Sequence, residues 1–416
     1  MKVFKTIFPL ILVVVLSFGL MGGCGGGGGG GGGSNGGGGG GNGGGDGGDG
    51  GDGGGGSNET ISLLIDATAG GVSAGPEDPA NKYTYLDLSA GEVVDLTDAQ
   101  AQDSTNWDIG FKRSTVILNG GVSGPGSVSG FFTGNNSEAY DANGDAIFDW
   151  FASATADSEL EDFEIITSSD VPLDGEGNPD ASVFTSDVPS LVIVGDGTAE
   201  GWWLYDFTTH TVSANPDNWW IVKSDTGEAY IKFHVTDITY GATEQIFYIT
   251  VESVIQNAGE TSFTTPHTGT FEIPEGGGSV YFDYETLAPV TSSAGWDLRV
   301  GYDPATRLFS MYTNGGLSGP GAGGAFPIGN EPDAFTNGAD PSQIPFYFTD
   351  SAGGIFIDSI WYAYNLTGND HQIWPNYRVY LIQSEGEIYK LQIQSYYHPQ
   401  TTQSGWYTVI FEKVFP

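Results

Sequence analysis

The chain has one cysteine in 416 residues. A single thiol builds no internal disulfide. Basic residues are scarce too: 12 Lys and Arg stand against 52 Asp and Glu, a formal net charge of −40. A surface of that sign repels polyphosphate, which excludes a nucleic-acid partner, and it argues against electrostatic docking on anionic lipid. Long apolar runs are missing. The stretch from Ile7 to Leu20 is interrupted by Pro9 and Ser17 and is too short to span a bilayer. Runs of Ala, Glu, Lys and Leu are rare, and residues 146–154 are the one short stretch expected to form a helix. No glycine-rich loop is followed by Lys-Ser or Lys-Thr, so no phosphate cradle is expected. Gly-Val-Ser-Ala-Gly at 71–75 has the spacing of a nucleophile elbow, but Pro76, Asp78 and Pro79 follow where that motif needs a helix. No nucleophile–base constellation stands out, and an enzyme is not expected.

What is present begins at the N-terminus. Lys2 and Lys5 precede the apolar stretch, and Met21-Gly22-Gly23-Cys24 follows it. That order is a secretory signal over residues 1–23. With a cysteine directly after two glycines it resembles a bacterial lipoprotein signal, although Met21 stands where Leu is usual. The resemblance implies that Cys24 is lipidated and becomes the first residue of the mature chain. Gly25, not Asp, follows it, which favours the outer membrane. Residues 25–56 contain only Gly, Ser, Asn and Asp. They bury no apolar surface, and as a flexible tether they reach about 30 Å. Residues 24–56 therefore read as anchor and spacer.

Residues 57–416 are rich in Tyr, Phe, Trp, Thr and Val, the composition of a β protein. An internal repeat organises them. Asn-Gly-Gly-Val-Ser-Gly-Pro-Gly at 119–126 returns as Asn-Gly-Gly-Leu-Ser-Gly-Pro-Gly at 314–321. Upstream of each is a Trp-Asp pair, Trp107-Asp108 and Trp296-Asp297. Downstream, residues 202–235 resemble 361–393, with Tyr205 on Tyr364, Pro216 on Pro375 and, after a one-residue shift, Lys232 on Lys390. The expectation is two tandem β domains, 80–256 and 279–416, joined by a connector at 257–278. Residues 57–79 read as a linker or an edge strand of the first domain. Residues 229–235 and 388–394 alternate with period two and read as strands with one buried face. The glycine strings read as turns after a strand: Asn-Gly-Gly takes positive φ, and proline fixes a second bend.

These features in this order resemble the HmuY family of bacterial haem-binding lipoproteins. The carrying residues are the Trp-Asp strands, the two glycine strings, the 202–235 segment with its second version, and the terminal stretch from Tyr389 to Val414. The resemblance implies an all-β fold made of two tandem HmuY-like antiparallel domains, an outer-membrane or surface lipoprotein, and capture of haem for a TonB-dependent receptor. A haem-independent adhesion module of the same fold is the alternative.

Haem iron takes His, Met or Tyr as axial donors. The candidates are His210, His234, His371 and His398; His267 lies in the expected connector. Read position by position, the repeats disagree: His210 falls on Asn369, His234 on Gln392 and His371 on Val212. The expectation is a tighter site in 80–256, built on His210. Met311 is a further donor type, though an isolated Met in a strand reads as core. Trp202, Trp203, Trp219 and Trp220 read as core or as a stacking platform. Residues 141–145 and 174–180 have oxygen donors at alternate positions, as calcium loops do.

Overall fold

Each short Gly-containing turn folds one strand back on the next. Ser384-Glu385-Gly386-Glu387 joins Val379–Ser384 to Glu387–Tyr397, with φ of 50° at Glu385 and 86° at Gly386, the left-handed pair a tight hairpin needs. Ser224 to Gly227 performs the same task between Trp219–Lys223 and Tyr230–Gly241. The computed structural model describes residues 59–69, 82–335, 340–344 and 346–415. Cys24, the tether and the 71–75 motif lie outside them.

Two five-stranded antiparallel sheets result. In the terminal sheet the order is Ile61–Asp66, Ser404–Phe415, Glu387–Tyr397, Val379–Ser384, Ser129–Phe132. In the central sheet it is Thr265–Pro274, Ile246–Gln256, Tyr230–Gly241, Trp219–Lys223, Gly324–Gly329. A four-stranded sheet accompanies each. One is ordered Glu92–Val94, Thr84–Asp87, Ile109–Lys112, Thr115–Leu118, the other Ala288–Val290, Gly278–Asp283, Leu298–Asp303, Leu308–Thr313. The all-β expectation holds. The run at 146–154 forms the helix Phe148–Ser153, and among the described residues three other short α-helices are Asp98–Ala101, Leu160–Glu164 and Ile355–Asp358.

The sheets do not follow the expected division of the chain. Ser129–Phe132, upstream in the sequence, pairs with Val379–Ser384 from the far end. Trp219–Lys223 pairs with Gly324–Gly329 across the expected boundary. The connector placed at 257–278 contains the edge strand Thr265–Pro274, paired along its length with Ile246–Gln256. Ile61–Asp66 is an edge strand, as one reading of 57–79 had it, but its partner is Ser404–Phe415. The chain thus builds its terminal unit from both ends and its central unit from residues between about 188 and 350. Where it passes from one to the other, Val188–Ser190 and Ser351–Gly353 pair with each other. The cores divide accordingly. One apolar cluster joins Ile65, Phe111 and Leu118 to Trp361, Tyr380 and Phe411; the other lies wholly between Ile193 and Ala325.

The strands expected to bury one face bury most of both. Lys232 and Lys390, on the supposed polar face, are each 4% exposed. Lys232 Nζ donates to the carbonyls of Pro332 and Ala334, and Lys390 Nζ to that of Ile166. Loops and a short helix cover that face, and the lysines satisfy the carbonyls of the cover.

The repeated glycine string closes the two points where the chain changes units. Asn119 and Asn314 follow the strands Thr115–Leu118 and Leu308–Thr313, and both are buried. Asn119 Oδ1 accepts from Gly126 N, as Asn314 Oδ1 does from Gly321 N, so each loop wraps its own amide. A Cβ on Gly124 or Gly319 would stand 2.1 or 2.0 Å from that oxygen and against the Trp107 or Trp296 ring. Gly121 and Gly316 take φ of 64° and 59° and approach the carbonyls of Asp187 and Asp350, the residues at the crossing points. Val122 N and Leu317 N donate to those same carbonyls. The string recurs because both crossings are clamped in one way.

Candidate functional site

Two small hairpins outside the large sheets hold two of the expected histidines. Trp203–Asp206 pairs with Thr211–Ala214, and Tyr362–Tyr364 pairs with Ile373–Pro375. In the first, Tyr205 lies opposite Val212, and His210 precedes Val212 by two residues. In the second, Tyr364 lies opposite Ile373, and His371 precedes Ile373 by the same two. Both histidines are exposed non-glycine residues with left-handed backbone, φ 57° and 49°. The Tyr205 hydroxyl lies 2.9 Å from His210 Nδ1, and the Tyr364 hydroxyl 3.0 Å from His371 Nδ1. Ring centroids are 6.2 Å apart in both pairs. The position-by-position reading set these histidines on unlike residues because the second loop is longer between the tyrosine and the turn back. Counted from the returning strand, they coincide. The tyrosines were the missed partners; their alignment with each other was the available signal.

The remaining histidines sit in different settings. His234, on Tyr230–Gly241, stacks on Trp219 at 3.6 Å between centroids; its Nδ1 lies 2.7 Å from the Pro216 carbonyl and its Nε2 3.7 Å from Glu252. The carbonyl can only accept, so Nδ1 carries the proton. His398 caps the turn into Ser404–Phe415: its Nδ1 accepts from Gln400 N and Thr401 N. That fixes the proton on Nε2 and leaves no lone pair for iron unless the cap breaks. His267 is on the strand Thr265–Pro274, stacked on Phe282. Met311, Trp202, Trp203 and Trp220 are core residues, and only Trp219 of the tryptophan group keeps partial exposure.

The family model described as "HmuY protein" matches residues 80–252. This segment of the chain belongs to the HmuY family. Among solved structures, a Bacteroides vulgatus protein assigned as a HmuY-like heme binding protein is similar at 9% identity and a TM-score of 0.29, over 86% of this chain and 94% of that one. A Bacteroides fragilis protein assigned as a lipoprotein is similar at 10% identity and a TM-score of 0.29, over 87% and 95%. None of the curated proteins matches the sequence.

The HmuY segment contains the Tyr205–His210 hairpin and His234, and it runs through the first crossing at Asp187. Buried carboxylates tie the units internally. Asp297 accepts from Asp225 N and Tyr284 N, and Asp108 from Leu88 N and the Ser384 hydroxyl. Burial pushes Asp297 up to about 7 and Asp187 up to about 6, against the pull of the hydrogen bonds each accepts. The cavity beside Asp108, lined also by Trp107, Glu385 and Glu387, holds 180 Å³. That is below the roughly 300–1,000 Å³ of ordinary ligand pockets. A 390 Å³ recess lies at Gly276–Ser279 and Tyr302. Neither is lined by histidine. The two calcium-like loops are self-capped turns: Asp141 accepts from Asn143 N and Asp145 N, and Asp174 from Glu176 N and Asn178 N. Among the described residues no group of three or more His, Cys, Asp or Glu is placed to hold a metal ion. The calcium expectation therefore finds no site there.

Proposed function

We propose that this chain is a lipid-anchored, non-catalytic haem-binding protein of the bacterial outer membrane or cell surface, serving iron acquisition together with a TonB-dependent receptor. The observation that carries the reading is the matched pair of Tyr–His hairpins: exposed donors of a kind haem iron accepts, set in the same geometry in two places, one of them inside the HmuY segment. Of the four histidines considered as donors, His210 and His371 are the exposed pair. His234 is held between Trp219 and Pro216, and His398 is committed to its turn. A porphyrin would lie against a hairpin rather than inside a closed cavity. Phe207, 79% exposed with its ring 4.9 Å from Tyr205, offers apolar surface for it on the first hairpin.

Haemin added to the purified protein should give a sharp, saturable Soret change. A spectrum unchanged from free haemin would remove the reading and leave a haem-independent surface module.

The anchor is tested separately. No helix among the described residues is long and apolar enough to cross a membrane. The proposed attachment is through lipid on Cys24, where each buried CH₂ would contribute about 0.8 kcal/mol. Cys24→Ser should leave the fold unchanged and release the protein from sedimented membranes. Retention of the Ser variant through a detergent-free wash would exclude a lipid anchor.

A further inference from the structure

We infer that each hairpin is one ferric-haem site in which the tyrosine oxygen, not the imidazole, bonds to iron, so that the chain takes up two haems through Tyr205 and Tyr364. The inference rests on the haem reading and specifies its donor atoms. The structure supplies the reasons. A site with two histidines needs two imidazoles facing each other. Here each hairpin offers one, His398 Nδ1 is committed to its turn, and His234 presents a single Nε2 beside Glu252 on the central sheet. What these two hairpins do repeat is a phenol hydrogen-bonded to an imidazole nitrogen, at 2.9 and 3.0 Å. Both histidines adopt left-handed backbone, which a non-glycine residue takes at a cost. The shared result of that conformation is to bring Nδ1 back to the tyrosine hydroxyl. Phenolate is an anionic oxygen donor, suited to hard ferric iron and one of the ligands haem iron accepts.

The step would balance with the axial water that aqueous ferric haem carries. The Tyr O–H bond would break, its proton would pass to His Nδ1, and the oxygen would replace that water on iron. Iron would remain ferric, and the imidazolium would stay hydrogen-bonded to the bound oxygen. The two sites are not equal. Tyr205 has the 79% exposed Phe207 ring beside it, apolar surface on which a porphyrin can lie. The first site should fill first.

The test is a haemin titration of the full chain, followed by absorbance and by electron paramagnetic resonance. Two haemins should bind per chain with a high-spin ferric signal. Tyr205→Phe should weaken the tighter site more than tenfold and Tyr364→Phe the other, while the double variant loses both. These variants remove one oxygen each from exposed hairpins, and unchanged tryptophan emission will show that the fold is kept. His210→Ala should weaken the first site less than Tyr205→Phe does. Reduction to ferrous haem should release the ligand, since phenolate favours the ferric state. If both Tyr→Phe variants bind like the parent while His210→Ala and His371→Ala lose haem, the imidazole is the ligand: the inference fails and the haem reading stands. One haem per chain, untouched by any of the four substitutions, also overturns it. No saturable spectrum from the parent protein removes both.

Discussion

A fragment of residues 188–350 should fold cooperatively on its own, and fragments 80–256 and 279–416 should not. The central sheet, its four-stranded companion and the apolar cluster from Ile193 to Ala325 all lie within 188–350. Fragment 80–256 keeps Trp202, Trp220, Phe233 and Val251 but loses Phe282, Leu298, Val300, Phe309 and Met311, which pack against them. It also keeps Ser129–Phe132 without the strand Val379–Ser384 that satisfies its backbone. Each fully buried large apolar side chain contributes about 1.5–3 kcal/mol, so five lost partners, about 7.5–15 kcal/mol together, are as large as the net stability of an ordinary domain, about 5–15 kcal/mol. Thermal unfolding followed by near-ultraviolet circular dichroism measures this. A cooperative transition in 80–256 would show that the upstream strands can close on their own neighbours, and the crossed arrangement would then not be required for folding. The result also bears on haem. The tighter site expected in 80–256 cannot be sought in that fragment; it is sought by substitution in the full chain, or in 188–350, which carries Tyr205, Phe207 and His210.

Asn119→Ala should lower stability by about 3 kcal/mol or more. Its Nδ2 donates to the carbonyls of Ser104 and Trp107, and its Oδ1 accepts from Gly126 N, all at a fully buried position. Removing the amide strands these groups at about 1–3 kcal/mol for each one left unsatisfied. A loss of 3 kcal/mol corresponds to a midpoint lower by roughly 6–12 °C for a unit of this size. Gly121→Ala should be worse, since its Cβ would lie 1.9 Å from the Asp187 carbonyl oxygen at φ 64°. Gly134→Ala is the control: φ is 87°, but nothing lies within 4 Å, so only the backbone cost applies, about 1–2 kcal/mol. Calorimetry on the three variants separates steric clamp from backbone strain. Equal small losses at Gly121 and Gly134 would mean that the crossing tolerates displacement.

Much was legible in the residues themselves. Period-two alternation and aromatic, β-branched composition set the all-β class, because a pleated strand presents successive side chains to opposite faces. Glycine and asparagine at 119–126 and 314–321 marked turns that need positive φ and close backbone approach, and both strings are such turns. Burial of Met311, Trp202, Trp203 and Trp220 followed from their apolar bulk.

Other features needed the third dimension. Two similar sets of strands present the same edge pattern, so alternation and hydrogen-bonding capacity are satisfied equally by pairing within a repeat or across repeats. Local sequence holds no term that separates the two. Contacts distant in the chain do, such as Ser384 with Asp108 and Asp225 with Asp297. The Tyr–His pairs were hidden for a related reason. A longer loop moves His371 along the sequence without moving it in the hairpin, because cross-strand register is fixed by the returning strand and not by the count of residues through the turn. Composition and alternation determined that this chain builds sheets with glycine-clamped turns. Only the tertiary structure decided which strands share a sheet and which histidines are equivalent, since both depend on register between segments far apart in the chain.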